Sequence, residues 1–245
     1  MDPAGIELEG LTWFDVERYL ERDSRLVIVL GATEEHAYLS LATDTLLGMH
    51  IARRACAETG VLLAPGLPYG DSLLLQGYPG TLTLMPETYA RVVADLARSA
   101  HASGFRRLFF LNAHGGNNFV VMHIQQVVAE HPDLICDFFE WASEPAVTEL
   151  AMELQGEPVG HANWAENTSF TRLEHTPIPD EPLPATPLAG GLMMLPPGEL
   201  RHRSASGMIG SVYSAPDADV DRLMDVAVAA AVARLRALAE EPRGA

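Results

Sequence analysis

Apolar and polar positions divide the chain into alternating strand-like and helix-like stretches. Arg25 to Leu30 (RLVIVL) and Arg107 to Leu111 (RLFFL) are unbroken apolar runs behind a single Arg, the pattern of strands buried on both faces of a parallel sheet. Leu134 to Phe139 (LICDFF) and the shorter Val61 to Ala64 read as two more strands, and Gly77 to Leu84 as a loop leading into a short fifth. Helical spacing predicts a first helix over Thr12 to Arg22, anchored by Leu11, Phe14, Val16 and Leu20. It predicts a second over Asp44 to Ala57, where Leu46, Leu47, Ile51 and Ala55 recur and Thr43 or Asp44 stands at the N-cap. Pro86 to Ala102 has proline in its first turn. Asn117 to Glu130 and Val147 to Leu154 follow, with His161 to Phe170 a further helix candidate. Asp217 to Glu241 closes the chain, with Pro216 before it and acidic residues in its first turn.

Strands that alternate with helices predict an α/β fold: a mostly parallel β-sheet flanked by helices on both faces. Nothing marks a linker, so residues 1–245 read as a single domain. Pro177 to Pro197 holds seven prolines, and 177–205 is expected to be an irregular excursion, a candidate lid or subunit contact.

Two segments concentrate metal-ligand residue types where a strand ends and a helix is about to begin, the edge at which open α/β sheets bind ligands. The first is Gly31 to Asp44 (GATEEHAYLSLATD); the second is Leu111 to Asn118 (LNAHGGNN). In extended chain, residues two apart point the same way, so Glu34 and His36 can project together. Asp44 lies eight residues after His36 at a helix start, and there the helix dipole favours a carboxylate, or the residue is simply a cap. His114 precedes Gly115 and Gly116, which allow a close backbone approach to a ligand. Glu166, in His161-Ala-Asn-Trp-Ala-Glu166-Asn-Thr-Ser, is a fifth candidate, with His161 beside it. Mixed oxygen and nitrogen donors suit Zn, Mn or Fe, and the ligand count suits two divalent ions sharing a carboxylate. Glu35 reads as solvated or as a support behind the ligands. The remaining histidines read as surface or helix-face residues.

These residues resemble the creatininase family of creatinine amidohydrolases. The family's first motif, roughly G-[ST]-x-E-[QE]-H-G-x-H-L-P-L-x-T-D, is matched by GATEEHAYLSLATD. Its N-G-H-G-G-N is matched by Asn112-Ala-His114-Gly-Gly-Asn117, and its H-A-x-x-x-E-x-S by His161-Ala-Asn-Trp-Ala-Glu166-Asn-Thr168. A fourth motif, [YF]-G-x-S-x-x-H-x-x-F-P-G-T, is matched by Tyr69-Gly-Asp-Ser-Leu-Leu-Leu75-Gln-Gly-Tyr-Pro-Gly-Thr81. The resemblance covers roughly residues 25 to 170, and more weakly Gly207 to Gly210. It implies that Glu34 and His114 bind one metal, that His36 and Glu166 bind the other, and that Asp44 bridges them. It implies that His161 polarises the substrate carbonyl or protonates the leaving group, with Glu166 beside it in the catalytic centre. It further implies that a metal-bridging hydroxide cleaves a C–N bond of a small cyclic amide or formamide. Tyr38, Ser72, Gly115, Gly116 and Trp164 are the expected substrate-facing positions, with a core role the alternative for Trp164. Family members with these motifs are commonly hexamers, so a homo-oligomer is expected.

The departures fall away from the ligands. The first motif is one residue short, with Tyr38-Leu39 where a second histidine belongs; Leu75 replaces a histidine, Trp164 a frequent Glu and Asn167 a frequent Thr. Creatinine-cleaving members carry Glu at the position of Gly116. A substrate other than creatinine is therefore expected. The alternatives are a hydrolase opening a cyclic polyol ketone of the inosose type and, from another class, a non-catalytic metal-stabilised binding subunit.

Composition narrows the field. The formal charge is −17, which argues against a nucleic-acid partner, since phosphate contacts need clustered Lys and Arg. The chain has no lysine, so P-loop, Schiff-base and Ser-Lys chemistries are out. Cys56 and Cys136 are expected as two buried thiols rather than a disulfide. No run reaches the roughly 18 apolar residues of a membrane helix. With no signal-peptide pattern at the N-terminus, the expected location is the cytoplasm and the expected partner a small-molecule substrate.

Overall fold

A computed structural model describes residues 6–186, 195–196 and 198–240. Four strands form one parallel sheet: β1 (Arg25–Leu30), β2 (Leu62–Leu63), β3 (Arg107–Asn112) and β4 (Ile135–Glu140), in the order β2-β1-β3-β4. The helices are α1 (Trp13–Leu20), α2 (Thr43–Thr59), α3 (Pro86–Ala102), α4 (Val121–Glu130), α5 (Pro145–Gln155), α6 (Glu199–Arg203) and α7 (Asp217–Glu240).

The unbroken apolar strands are explained by the two cores they face. Val27, Val29, Phe109 and Leu111 point to one side and pack with α2, α5 and α7. Their alternates Leu26, Ile28, Leu30, Leu108 and Phe110 point to the other and pack with α1, α3 and α4. Every residue of β1 and β3 is buried. The expected α/β sheet with helices on both faces is observed.

Chain order fixes where a ligand can enter. After β1 the chain crosses to β2 on one side; after β2 it crosses back past β1 to β3 on the other. The connections diverge between β1 and β3, so a crevice opens beyond their carboxyl ends. Register keeps those ends level, with Leu30 opposite Asn112 and Asn112 opposite Glu140.

Three expected elements differ. Asn117 to Glu130 is not one α-helix: a 3₁₀ segment, Gly115–Val120, precedes α4. There Asn117 spends its amide on the Gly31 carbonyl and Asn112 spends its amide on Asn118, which favours the tight turn over regular helix. Residues 77–84 form no strand, because at the sheet's end Leu82 finds only Thr33 as a bridge partner. The stretch His161 to Phe170 carries a single 3₁₀ turn, Trp164–Glu166, capped by Asn163. At α2 the cap position is Ala42, with Thr43 and Asp44 already in the first turn. Cys56 is buried and Cys136 partly exposed on edge strand β4; both are free thiols.

Much of 177–205 is irregular, with α6 near its end; residues 187–194 and 197 lie outside the described residues. Tyr38 and Tyr213 tie its early part down at Leu183, one hydroxyl accepting from the backbone N–H and the other donating to the carbonyl. Among the described residues, no helix is long and apolar enough to cross a membrane.

Candidate metal centre

Glu34 and His36 leave β1 in extended chain and reach the crevice from one side. Asp44 enters from the first turn of α2, His114 from the end of β3, and His161 and Glu166 from the segment ahead of α7. Five of the six are buried, Glu34 at 0% exposed, His36 1%, Asp44 2%, Glu166 5% and His114 9%, and the His161 side chain is 16% exposed. The structure thus brings together every ligand position read from the sequence.

The geometry of the two histidines is informative. His36 Nδ1 lies 3.2 Å from the Glu34 carbonyl oxygen, which can only accept, so Nδ1 carries the proton. Its Nε2 then faces Asp44 Oδ1 at 3.1 Å and Glu166 Oε2 at 3.6 Å. His114 is held the opposite way round. Nε2 donates to the Asp71 carbonyl at 2.7 Å, while Nδ1 faces Glu34 Oε1 and Asp44 Oδ2, each at 3.2 Å. In both rings one nitrogen is committed to a backbone carbonyl, and the other aims a lone pair at carboxylate oxygens. Lone pair facing lone pair in a buried site is stable only with a cation between them, either a second proton or a metal ion. Among the described residues both oxygens of Glu34 and Oδ2 of Asp44 are buried without a hydrogen-bond donor, which leaves the same demand.

The ligand atoms of Glu34, Asp44 and His114 lie within 4.8 Å of one another, as do those of His36, Asp44 and Glu166. Asp44 belongs to both groups. A third group joins Glu34, His36 and His161.

The carboxylates dominate the electrostatics. Burial opposes charge on His36, but Asp44, Glu166 and Glu34 outweigh it and push the imidazole up to about 10. Burial likewise opposes charge on His114, and Glu34 and Asp44 raise it well above its ordinary value. Asp44 is lowered, since His36 and His114 overcome its burial. Burial raises Glu166 to about 7 against the pull of His36.

A cavity of about 570 Å³ opens onto this cluster. Ser72, Gly115 and Gly116, three of the positions the resemblance puts toward the substrate, line it. Tyr38 and Trp164 do not. Tyr38 lines a separate hollow beside Arg172 and Pro177, its ring edge-on to Tyr213. Trp164 is fully buried in the core beneath α7. Sequence reading passed over Leu73, Leu74, Trp141, Glu140 and Ile209, which also line the cavity. Glu140 and Trp141 stand just where β4 ends, so the sheet-edge rule that singled out the ends of β1 and β3 also points to them. Glu35, set aside as solvated or supporting, is 6% exposed and accepts from His161.

Comparison with known proteins agrees with this architecture. The chain is 29% identical over 170 residues to creatinine amidohydrolase of Pseudomonas putida, covering 63% of this chain and 64% of that protein. It is 37% identical over 103 residues to the mycofactocin precursor peptide peptidase of Mycobacterium tuberculosis, covering 38% and 41%. It is 26% identical over 115 residues to 3-dehydro-scyllo-inosose hydrolase of Thermotoga maritima, covering 46% and 37%. The matched segments thus span less than two thirds of each relative. The solved structure of creatinine amidohydrolase (creatininase) superposes with a TM-score of 0.79 at 22% identity, covering 97% of this chain and 99% of that one; at that identity the likeness is one of fold. The family profile described as creatinine amidohydrolase matches residues 9–235, and the chain therefore belongs to the creatininase family.

Proposed function

We propose that the protein is a dinuclear metal-dependent amidohydrolase that cleaves the C–N bond of a small cyclic amide or formamide other than creatinine. The observation that carries this is the paired arrangement of His36 and His114, each tied through one nitrogen to a backbone carbonyl and turned through the other toward carboxylates that share Asp44. Glu34 and His114 would hold one ion, His36 and Glu166 the second, and Asp44 both. Zinc is the first candidate and manganese or iron the alternatives. Solved creatininase structures named for Mn and for Zn-Zn support this choice. When bound, such a pair supplies Lewis acidity and activated water at neutral pH.

The chain's own residues do the rest. The carbonyls of Glu34 and Asp71 fix the two imidazoles, so the ligand nitrogens need no reorganisation. His161, with Nδ1 turned to the cluster, would take the proton that the attacking water gives up and pass it to the leaving nitrogen. Leu73, Leu74, Trp141 and Ile209 exclude water from one wall.

Two features support a substrate other than creatinine. A Cβ built on Gly116 would stand 2.1 Å from the Asp71 carbonyl oxygen and 2.4 Å from His114 Nε2, so there is no room for the Glu that creatinine-cleaving members place there. The cavity wall is also largely apolar, and no Arg lines it among the described residues, which favours an uncharged amide with an apolar part over an anionic one. The peptidase and inosose hydrolase relatives keep a peptide amide and a cyclic polyol ketone within the range to be tested.

The test is turnover by protein reconstituted with Zn, Mn or Fe, with ammonia, amine or formate release followed across cyclic amides, formamides, short peptides and inososes. We expect close to two ions per chain and hydrolysis of an amide that a chelator abolishes. Metal-loaded protein with no turnover in any class would instead support a binding subunit. A cytoplasmic location and a hexameric homo-oligomer complete the proposal.

A further inference from the structure

His161 has two ring nitrogens, and only one of them faces the metal-ligand cluster. Nδ1 lies 3.4 Å from Glu34 Oε1; Nε2 points the other way, 2.9 Å from Glu35 Oε1. A carboxylate oxygen can only accept here, so Nε2 carries a proton, and Nδ1 is the nitrogen turned to the cluster.

Glu35 itself is held by its own turn and by two distant parts of the chain. Its backbone N–H donates to Thr81 Oγ1 at 3.1 Å. Its Oε2 accepts the N–H of Ala37 at 3.0 Å, and Ala37 reaches that position only by adopting φ +50°. A residue with a Cβ rarely adopts this left-handed conformation, so the turn is maintained against its local preference. On the far side, Gly207 at φ +82° covers the carboxylate with bare backbone: a Cβ there would lie 2.0 Å from Oε2. Glu35 belongs to none of the ligand groups around the metal positions. Its carboxylate is therefore fixed and buried, with Oε1 directed at Nε2 of His161.

We propose that Glu35 is the positioning residue for His161, fixing its tautomer and ring plane so that Nδ1 is the atom offered to the substrate amide. The inference rests on the role given above to His161, but its first readout does not depend on turnover. That readout is the ¹⁵N spectrum of histidine-labelled, zinc-loaded protein, with the His161 signals assigned by their loss in His161→Gln. The expected wild-type spectrum has His161 protonated at Nε2 and bare at Nδ1. Glu35→Ala is expected to turn this into an exchanging mixture. Glu35→Gln should restore it, because an amide oxygen accepts the same bond. Glu35→Asp keeps the charge but withdraws the oxygens by about 1.5 Å, one carbon–carbon bond, and should behave like Glu35→Ala; it serves if the alanine variant does not fold. With any amide that is turned over, Glu35→Ala and Glu35→Asp should lower kcat about 10–100-fold, with KM and bound metal within about two-fold of wild type and Glu35→Gln close to wild type. An unchanged His161 spectrum in Glu35→Ala and Glu35→Asp would overturn the proposal. So would loss of one ion from these variants, which would make His161 a ligand, or a Glu35→Gln protein as impaired as Glu35→Ala. Absence of turnover with every amide would sink the proposed function while leaving the spectroscopic result to stand or fall alone.

Discussion

At Asp44 the sequence alone leaves a helix-capping role and a ligand role open. The residue sits in the first turn of α2, where a carboxylate is stabilised by the helix dipole, yet Ala42 is the cap and neither Asp44 oxygen caps the helix. One oxygen faces His36 and the other faces His114. Asp44→Ala is therefore expected to lose both ions, where Glu34→Ala and His36→Ala each weaken one. Metal analysis of the three variants checks this, and an Asp44→Ala protein with two ions and normal turnover would reduce the residue to a helix-start aspartate. His161→Ala is expected to keep both ions and lose turnover by about 10²–10⁴-fold, the usual worth of a positioned acid or base; loss of an ion would reassign it as a ligand. Glu34, His36, Asp44, His114 and Glu166 were legible because ligand residue types at strand ends are unusual enough to stand out. Glu35 was not, because its burial depends on Gly207 and His161, far along the chain. Trp164 misled for the converse reason: neighbours in sequence reach the cavity, but its ring turns into the core.

Among the elements, the strands were the most legible, since β1 and β3 are buried on both faces and leave an uninterrupted apolar run. The 3₁₀ turns were not, because side-chain amides of Asn112, Asn117 and Asn163 set them through partners that periodicity does not reveal. The Gly115–Val120 segment is where an element directly serves the centre. Gly116 lets the loop carrying Asp71 approach His114, and that contact orients the imidazole. Adding a methyl at Gly116 must push Asp71 away. At Gly115 the nearest atom would be Glu140 Oε1 at 3.9 Å, an ordinary contact. Gly116→Ala should therefore weaken metal binding by about 10–100-fold, the usual cost of disturbing a ligand's outer partner, while Gly115→Ala leaves it near wild type. Competition titration against a chromogenic chelator measures both, and equal affinities would show that the Asp71 carbonyl does not orient His114.

At the scale of the whole molecule, an acidic chain gathers Glu34, Glu35, Asp44 and Glu166 in one buried crevice beside the imidazoles of His36, His114 and His161. Outside it, Trp13 and Phe14 lie against one another, their rings tilted, at the exposed start of α1, and Leu82 and Met85 are more than half exposed. Such surface is consistent with the proposed homo-oligomer, and light scattering giving a 26.5 kDa particle would refute it. The crevice also couples metal, pH and stability. His36 and His114 both bind protons more tightly in the folded, metal-free protein than their ordinary value of 6.5. A group raised on folding stabilises the fold fully below its unfolded value and loses that contribution as pH rises through its folded value. Metal-free protein should therefore lose stability from about pH 6.5 upward, toward about 10 for His36. Metal binding must displace the same protons, so metal affinity rises over that window while the metal-free fold weakens. The gap in Tm between metal-loaded and metal-free protein should accordingly widen between about pH 6.5 and about pH 9. Calorimetry of both forms across that range decides the matter: a gap independent of pH would mean that the two imidazoles are neutral in the metal-free protein, and that something other than protons keeps its carboxylates together.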